Sequence, residues 1–275
     1  MTRYRRHSPM TDPGPLLPTD VPADLSAMVD VIGGVLVHRD ETAWRFGFAL
    51  PEHRREEANT RHVAAILDRL GSLAARPPQE RFAGTCRDFT VLLVAMLRAA
   101  GVAARARCGF AGYFVDGFFD DHWVAEVWSD DRGWRLVDAQ VGSAPKGTYR
   151  GDVDPFDVPR DAFLVAGHAW LDCRAGRRDP ETVGTSAAGL TGMWEIQGSV
   201  VRDLANLTGI ETLPWDAWGL IPVHYRDLAP ADLELLDRAA EVSRAGGPPE
   251  RADEVYASDP RLAVPTPMSS APAAG

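Results

Sequence analysis

The sequence predicts an α+β fold, in which a buried helix packs on an antiparallel sheet and further helices are added behind it. Three observations lead there. Residues Cys86 to Ala100 follow helical spacing, yet the run Val91-Leu92-Leu93-Val94-Ala95-Met96-Leu97 is apolar all round, as befits a helix in the middle of a protein. Three strand-like segments come next: Val102 to Phe114, Trp123 to Ser129 and Trp134 to Ala139, the last two joined by the turn Asp130-Asp131-Arg132-Gly133. Helical patterns then resume at Asp161 to Cys173, Trp194 to Leu207 and Ala231 to Val242. Helices, then strands, then helices is the order of an α+β chain.

Taken in order, residues 1–20 are Pro-rich and polar and read as a flexible leader. The start Met1-Thr2-Arg3-Tyr4-Arg5-Arg6 is basic, but Pro9 and Pro13-Gly14-Pro15 follow instead of an apolar stretch, so no signal peptide is expected and the cytoplasm is the expected compartment. One domain is expected over residues 21–244, with its core at about 50–142 and a C-terminal helical extension at about 155–244. Residues 245–275, with Gly246-Gly247-Pro248-Pro249, read as a disordered tail. Pro51 to Ala75 is expected as one helix with Val63, Ile66, Leu67 and Leu70 on its apolar face, stopped by Pro77-Pro78. Gly101 is placed to end the next helix in the left-handed conformation.

Composition narrows the function. The 275 residues carry 29 basic and 39 acidic side chains, a net charge of −10, with no long Lys/Arg run. Nucleic acid and membrane are therefore not expected as partners. Three widely spaced cysteines, Cys86, Cys108 and Cys173, fit neither a disulfide framework nor a Cys-x-x-Cys site. No His/Cys pair at ligand spacing and no calcium-loop pattern is present, so no metal and no cofactor is expected.

The chemistry concentrates in three places. Thr85 is suited to cap the helix while Asp88 reaches back to the Thr85 N–H, which sets Cys86 at the first helical position. Unpaired N–H groups and the helix dipole favour a thiolate there, and Arg87 is adjacent. His122 opens one strand and Asp138 closes the next. If the odd-length turn gives a pairing register of even sum, both project from one sheet face, together with Glu126, Trp128, Trp134 and Leu136. His122 would then take the thiol proton, Asp138 would orient the imidazole, and Cys86 would attack a carbonyl. The oxyanion would be met by the backbone N–H of Cys86 and, as a second donor, Gln79.

These motifs resemble the bacterial transglutaminase-like superfamily. GTCRDFTVLLVAMLRAAGVAARARCGF is similar to its nucleophile helix and following strand, and DHWVAEVWSDDRGWRLVDAQ to its His strand, turn and Asp strand. About sixty residues, Arg81 to Gln140, are covered, with the three motifs in family order. The resemblance implies a papain-like core with Cys86 as nucleophile, His122 as base and Asp138 as orienting acid. Two departures stand out: Trp123 lies one residue after the His where the family often has two, and Asp138-Ala139-Gln140 replaces the usual Asp-Pro.

The expected function is cysteine-dependent acyl transfer, either amide hydrolysis or transamidation through a thioester, on a peptide, protein or small-molecule amide. A catalytically silent papain-like binding module and an acyl or acetyltransferase with a thioester donor are the alternatives. Trp123 is expected to wall the acyl group, and Trp215 and Trp218 to contact substrate, whereas Trp170 and Trp194 are expected to pack the added helices. His168 reads as a packed histidine and His224 as a residue without a partner. Arg105 and Arg107 read as structural ion pairs, Glu126 as half-exposed, and Arg202 and Asp203 as an exposed pair.

Overall fold

The computed structural model describes residues 2–19, 21–221 and 228–269. In chain order the elements are α1 (Leu25–Val35), β1 (Leu36–His38), α2 (Thr42–Phe46), α3 (Glu52–Arg55), α4 (Val63–Leu70), β2 (Phe82–Gly84), α5 (Cys86–Ala99), β3 (Ala104–Val115), β4 (Phe118–Ser129), β5 (Gly133–Val137), α6 (Ala139–Gly142), β6 (Phe163–Val165), α7 (Ala166–Arg174), β7 (Val183–Thr185), β8 (Leu190–Thr191), α8 (Met193–Thr208), α9 (Pro230–Ala245) and α10 (Pro249–Ala257). This is the expected α+β architecture. β6, β3, β4, β7 and β8 form a curved sheet, β5 also pairs with β4, and β1 and β2 form a separate parallel pair.

α5 is the hub. Its apolar residues Val91 to Leu97 are all buried, against α1, α4 and the sheet residues Ala104, Ala125, Val127 and Val137. Each such side chain is worth about 1.5–3 kcal/mol relative to exposure. Arg87 and Arg98 are buried on the same helix, and their guanidinium groups close distant turns. Arg87 donates to the carbonyls of Thr60, Arg61, Glu211 and Thr212, so it faces away from the Cys86 thiol. Gly101 ends the helix at φ +76, as expected.

The capture of the Thr60 and Arg61 carbonyls explains a correction. The single helix expected from Pro51 to Ala75 is two short ones, α3 and α4, because carbonyls that would continue it are bonded to Arg87. α4 then stops at Gly71, at φ +66, ahead of Pro77-Pro78.

Three strand boundaries also differ. β4 begins at Phe118, so His122 is interior to it; Asp120 and Asp121 mask the start of the strand, and Asp120 is satisfied by the N–H and hydroxyl of Ser186. β5 ends at Val137, because the Asp138 carboxylate accepts the Val141 N–H and caps α6. The segment expected as helix from Asp161 opens instead as β6, paired with Gly109 to Ala111 of β3. Gly109 permits this: a Cβ there would lie 2.1 Å from the Leu164 carbonyl oxygen.

The ends are ordered where described. Tyr4 is buried with its hydroxyl on the Leu207 carbonyl, its ring edge-on to Trp134 and under the Arg105 guanidinium. Ser8 and Thr11 bond the buried Glu211–Arg98 pair. The flexible leader is thus replaced by a strap of anchoring side chains. The disordered tail is likewise replaced, over the described residues, by α10 and the buried Leu262 and Val264, which join the core under α8 and α9. Among the described residues no helix is long and apolar enough to cross a membrane.

Candidate active site

Cys86 sits at the first position of α5 behind a capping box: the Thr85 N–H donates to Asp88 Oδ2 at 2.8 Å, and the Thr85 hydroxyl takes the reciprocal bond. Its partner is an opening in the sheet. On one edge of β4, β5 pairs with residues 125–129 and β7 with residues 119–120, which leaves 121–124 without a strand there. The N-terminus of α5 fills that gap. The Trp123 backbone N–H and the His122 ring both reach the Cys86 sulfur.

The even-sum register holds, with Ala125 opposite Val137 and Glu126 opposite Leu136. His122 and Asp138 accordingly share a face, and His122 Nε2 donates to Asp138 Oδ2 at 2.8 Å. With Nε2 engaged, Nδ1 is the nitrogen left for the thiol. Asp138 is held in turn by the Tyr113 hydroxyl at 2.7 Å and the Val141 N–H at 3.0 Å. Both residues are buried.

Burial alone would lower the pKa of His122, but the Asp138 charge and hydrogen bond, with the Cys86 sulfur, raise it well above the ordinary imidazole value. Burial pushes up the Cys86 thiol, and the His122 and Trp123 hydrogen bonds pull it down, leaving it above a free thiol. Burial also disfavours the Asp138 carboxylate, but His122, Val141 and Tyr113 outweigh it and leave its pKa lowered. The imidazole is the natural proton acceptor of the group.

Aromatic rings lead from the imidazole to the surface. Phe114 lies edge-on to His122 at 4.8 Å and to Tyr149 at 5.4 Å, and Tyr149 meets the exposed Trp44 at 6.0 Å. On the parallel strand pair, His38 stands opposite Gly84, two residues before Cys86. Among the described residues no group of three or more His, Cys, Asp or Glu side chains is arranged to hold a metal ion.

The model of the transglutaminase-like superfamily matches residues 71–139, the segment that holds Cys86, His122 and Asp138. Residues 71–139 are thus similar to the transglutaminase-like superfamily. A protein-glutamine gamma-glutamyltransferase of Pseudomonas aeruginosa is 26% identical to it over 40% of this chain. The chain spans only 21% of that relative's length. A crystal structure from Cytophaga hutchinsonii, described provisionally as a cysteine protease, aligns with 57% of this chain and 50% of its own at 19% identity and a TM-score of 0.22. That superposition is too loose to bear on the site.

Around the Cys86–His122–Asp138 group the remaining expected residues divide. Gln79 is exposed on a single 3-10 turn, Pro78–Glu80, with its carbonyl held by Arg54; it has no bond to the Cys86 group, so the expected oxyanion role is not met. The Trp123 indole is buried in the cluster that also holds Cys86, Cys108 and Trp170, on the sheet face away from His122, and its backbone N–H reaches the sulfur. Trp218 is buried and donates to the Leu262 carbonyl at 3.2 Å, which makes it a packing residue. Trp215 alone of these keeps an exposed face, 40% open, stacked at 4.6 Å on the guanidinium of Arg39, the neighbour of His38.

Glu126 and Asp203 are fully buried, contrary to expectation. Glu126 accepts from Arg105, Arg107 and Arg160, and Asp203 from Arg107, the Cys108 N–H and Ser243. Arg202 donates to the Asp216 carbonyl. Trp170 is buried and packs α7 as expected, while His168 is part-exposed, 3.5 Å from Asp172. His224 lies outside the described residues. Sequence reading missed His38, Tyr113 and Phe114. The only sequence signal for His38 is a lone polar residue closing the apolar run Val35-Leu36-Val37.

Proposed function

We propose that this protein is a cysteine-dependent acyl-transfer enzyme acting on an amide of a peptide, a protein or a small molecule. The observation that carries it is the unbroken chain Cys86–His122–Asp138, with the sulfur at a capped helix N-terminus. His122 takes the thiol proton, and the sulfur adds to the amide carbonyl; the backbone N–H of Cys86, unpaired within the helix, meets the oxyanion. Collapse breaks the C–N bond. The amine leaves with the proton from His122, and a thioester remains on Cys86. Water gives hydrolysis and a second amine gives transamidation, each surrendering its proton to His122.

Neither of the other two cysteines has a histidine acting on its sulfur as His122 acts on Cys86. Cys108 is buried, has its pKa raised well above normal by that burial, and donates to the Ser199 carbonyl; Cys173 is pushed up to about 11 by burial. Iodoacetamide should therefore label Cys86 first, and His122→Ala should slow that labelling. Intact-mass analysis with candidate amide pools should reveal an adduct in wild type that Cys86→Ala lacks. Labelling of Cys86 no faster than of Cys173, with no adduct, would leave only the silent binding module.

A further inference from the structure

The oxyanion of the proposed reaction needs a second donor, and Gln79 does not supply it. We propose that His38 does: its Nε2–H, beside the Cys86 N–H, completes the oxyanion site, and His38 is thereby a catalytic residue. This rests on the acyl-transfer reading of Cys86.

Backbone pairing sets the position. β1 and β2 run parallel with His38 opposite Gly84, and the Arg39 N–H donates to the Gly84 carbonyl at 2.9 Å, so the His38 side chain departs from the strand hydrogen-bonded to the one that leads straight into Cys86. It is close enough to the other histidine for the charge of His122 to act on it.

Hydrogen bonding sets the tautomer. His38 Nδ1 accepts the Asp40 N–H at 3.3 Å, which leaves the ring proton on Nε2. Among the described residues that Nε2 has no hydrogen-bond partner, and the residue is only part-buried. Glu41, whose charge also acts on the ring, is already taken: it accepts from the Tyr149 hydroxyl, Gln140 Nε2 and Arg45. Burial, aided by the charges of His122 and Arg39 and opposed by those of Glu41 and Asp40, lowers the pKa of His38 and favours the neutral ring. A neutral imidazole with a fixed, unspent N–H stabilises a developing oxyanion without competing for the proton that His122 must carry.

Two reactions of the same sulfur separate this role from a structural one. Alkylation by iodoacetamide forms an S–C bond as iodide leaves, with no oxyanion. Acylation by p-nitrophenyl acetate forms the thioester and expels p-nitrophenolate through an oxyanion. In the full chain, His38→Phe should slow the acylation burst by a factor on the order of 10²–10³ while alkylation of Cys86 keeps its wild-type rate. His38→Gln, whose amide N–H falls near the same place, should recover much of the loss.

Equal slowing of both reactions, an unaffected burst, or a Gln variant as slow as the Phe one overturns the proposal. If His38→Phe does not fold, His38→Ala is put to the same pair of reactions. Cys86→Ala is run in parallel: a burst that survives it removes the nucleophile itself, a failure distinct from that of His38. A wild type that alkylates but gives no burst removes both.

Discussion

His122 and Glu126 stand four residues apart on one face of β4, both buried, and do opposite things with their charge. At the Glu126 end every group is answered. Three guanidinium groups converge on its carboxylate and hold its pKa far below the ordinary range, against the burial that would raise it. Arg107 also bonds Asp203 of α8 and the Ser243 carbonyl of α9, so the sheet is pinned to the added helices. At the His122 end the bonds run in a single line, Asp138 to imidazole to sulfur, and the sulfur is held by the imidazole and the Trp123 N–H. Arginine does not titrate in this range, whereas imidazole and thiol do. A closed network of fixed charges makes a clamp; an open line of movable protons makes a relay.

The sharpest break is Cys86→Ala, which should cut amide turnover by a factor on the order of 10⁴ or more and leave the melting transition in place. Asp138→Asn comes next. It keeps the shape but loses the charge that supports the imidazolium, and acylation should slow by about 10²–10⁴-fold, read in the p-nitrophenolate burst.

Glu126→Gln tests the other end. The buried Arg105 and Arg107 and the exposed Arg160 lose their counter-charge, and unfolding in urea should show a loss of about 3–5 kcal/mol. The labelling rate of Cys86 in the folded protein should be unchanged. A large change in that rate would mean the clamp and the relay are coupled.

A smaller effect separates them by pH. His122 has its folded pKa raised above the unfolded value near 6.5, so its contribution to stability is complete below that value and is lost as pH rises through the raised one. Asp138 and Glu126 have lowered pKa values, and their contributions disappear only as pH falls below the ordinary carboxylate range. The stability gap between wild type and His122→Gln should therefore narrow above about pH 6.5, while that of Glu126→Gln stays level there. Smallest of all, Gln79→Ala should change neither burst nor labelling, since that side chain is exposed on a turn of its own.

Much of the relay was legible in the chain. Thr85 and Asp88 form a capping box from their own spacing, so Cys86 had to open a helix. The three-residue turn before Gly133 imposed an even register, so His122 and Asp138 had to share a face. The clamp was legible only in part: Arg105 and Arg107 read as structural ion pairs, but their partners Glu126 and Asp203 come from separate segments and, taken alone, read as half-exposed and exposed charges. Trp123 and Trp218 read as substrate contacts by type, yet both indoles fill the core.

Hydrogen bonds within a turn and the two-residue period of a strand act over a few residues, and the order of residues alone was enough to settle them: the capped helix that Cys86 opens, the register and the α+β plan. Packing decided the rest. Only in three dimensions does β4 leave residues 121–124 open for the helix end, β1 bring His38 beside Gly84, and α8 press Asp203 onto Arg107. Those contacts join segments dozens of residues apart, and it is burial against a partner that turns an ordinary Asp, His or Arg into a clamp or a site.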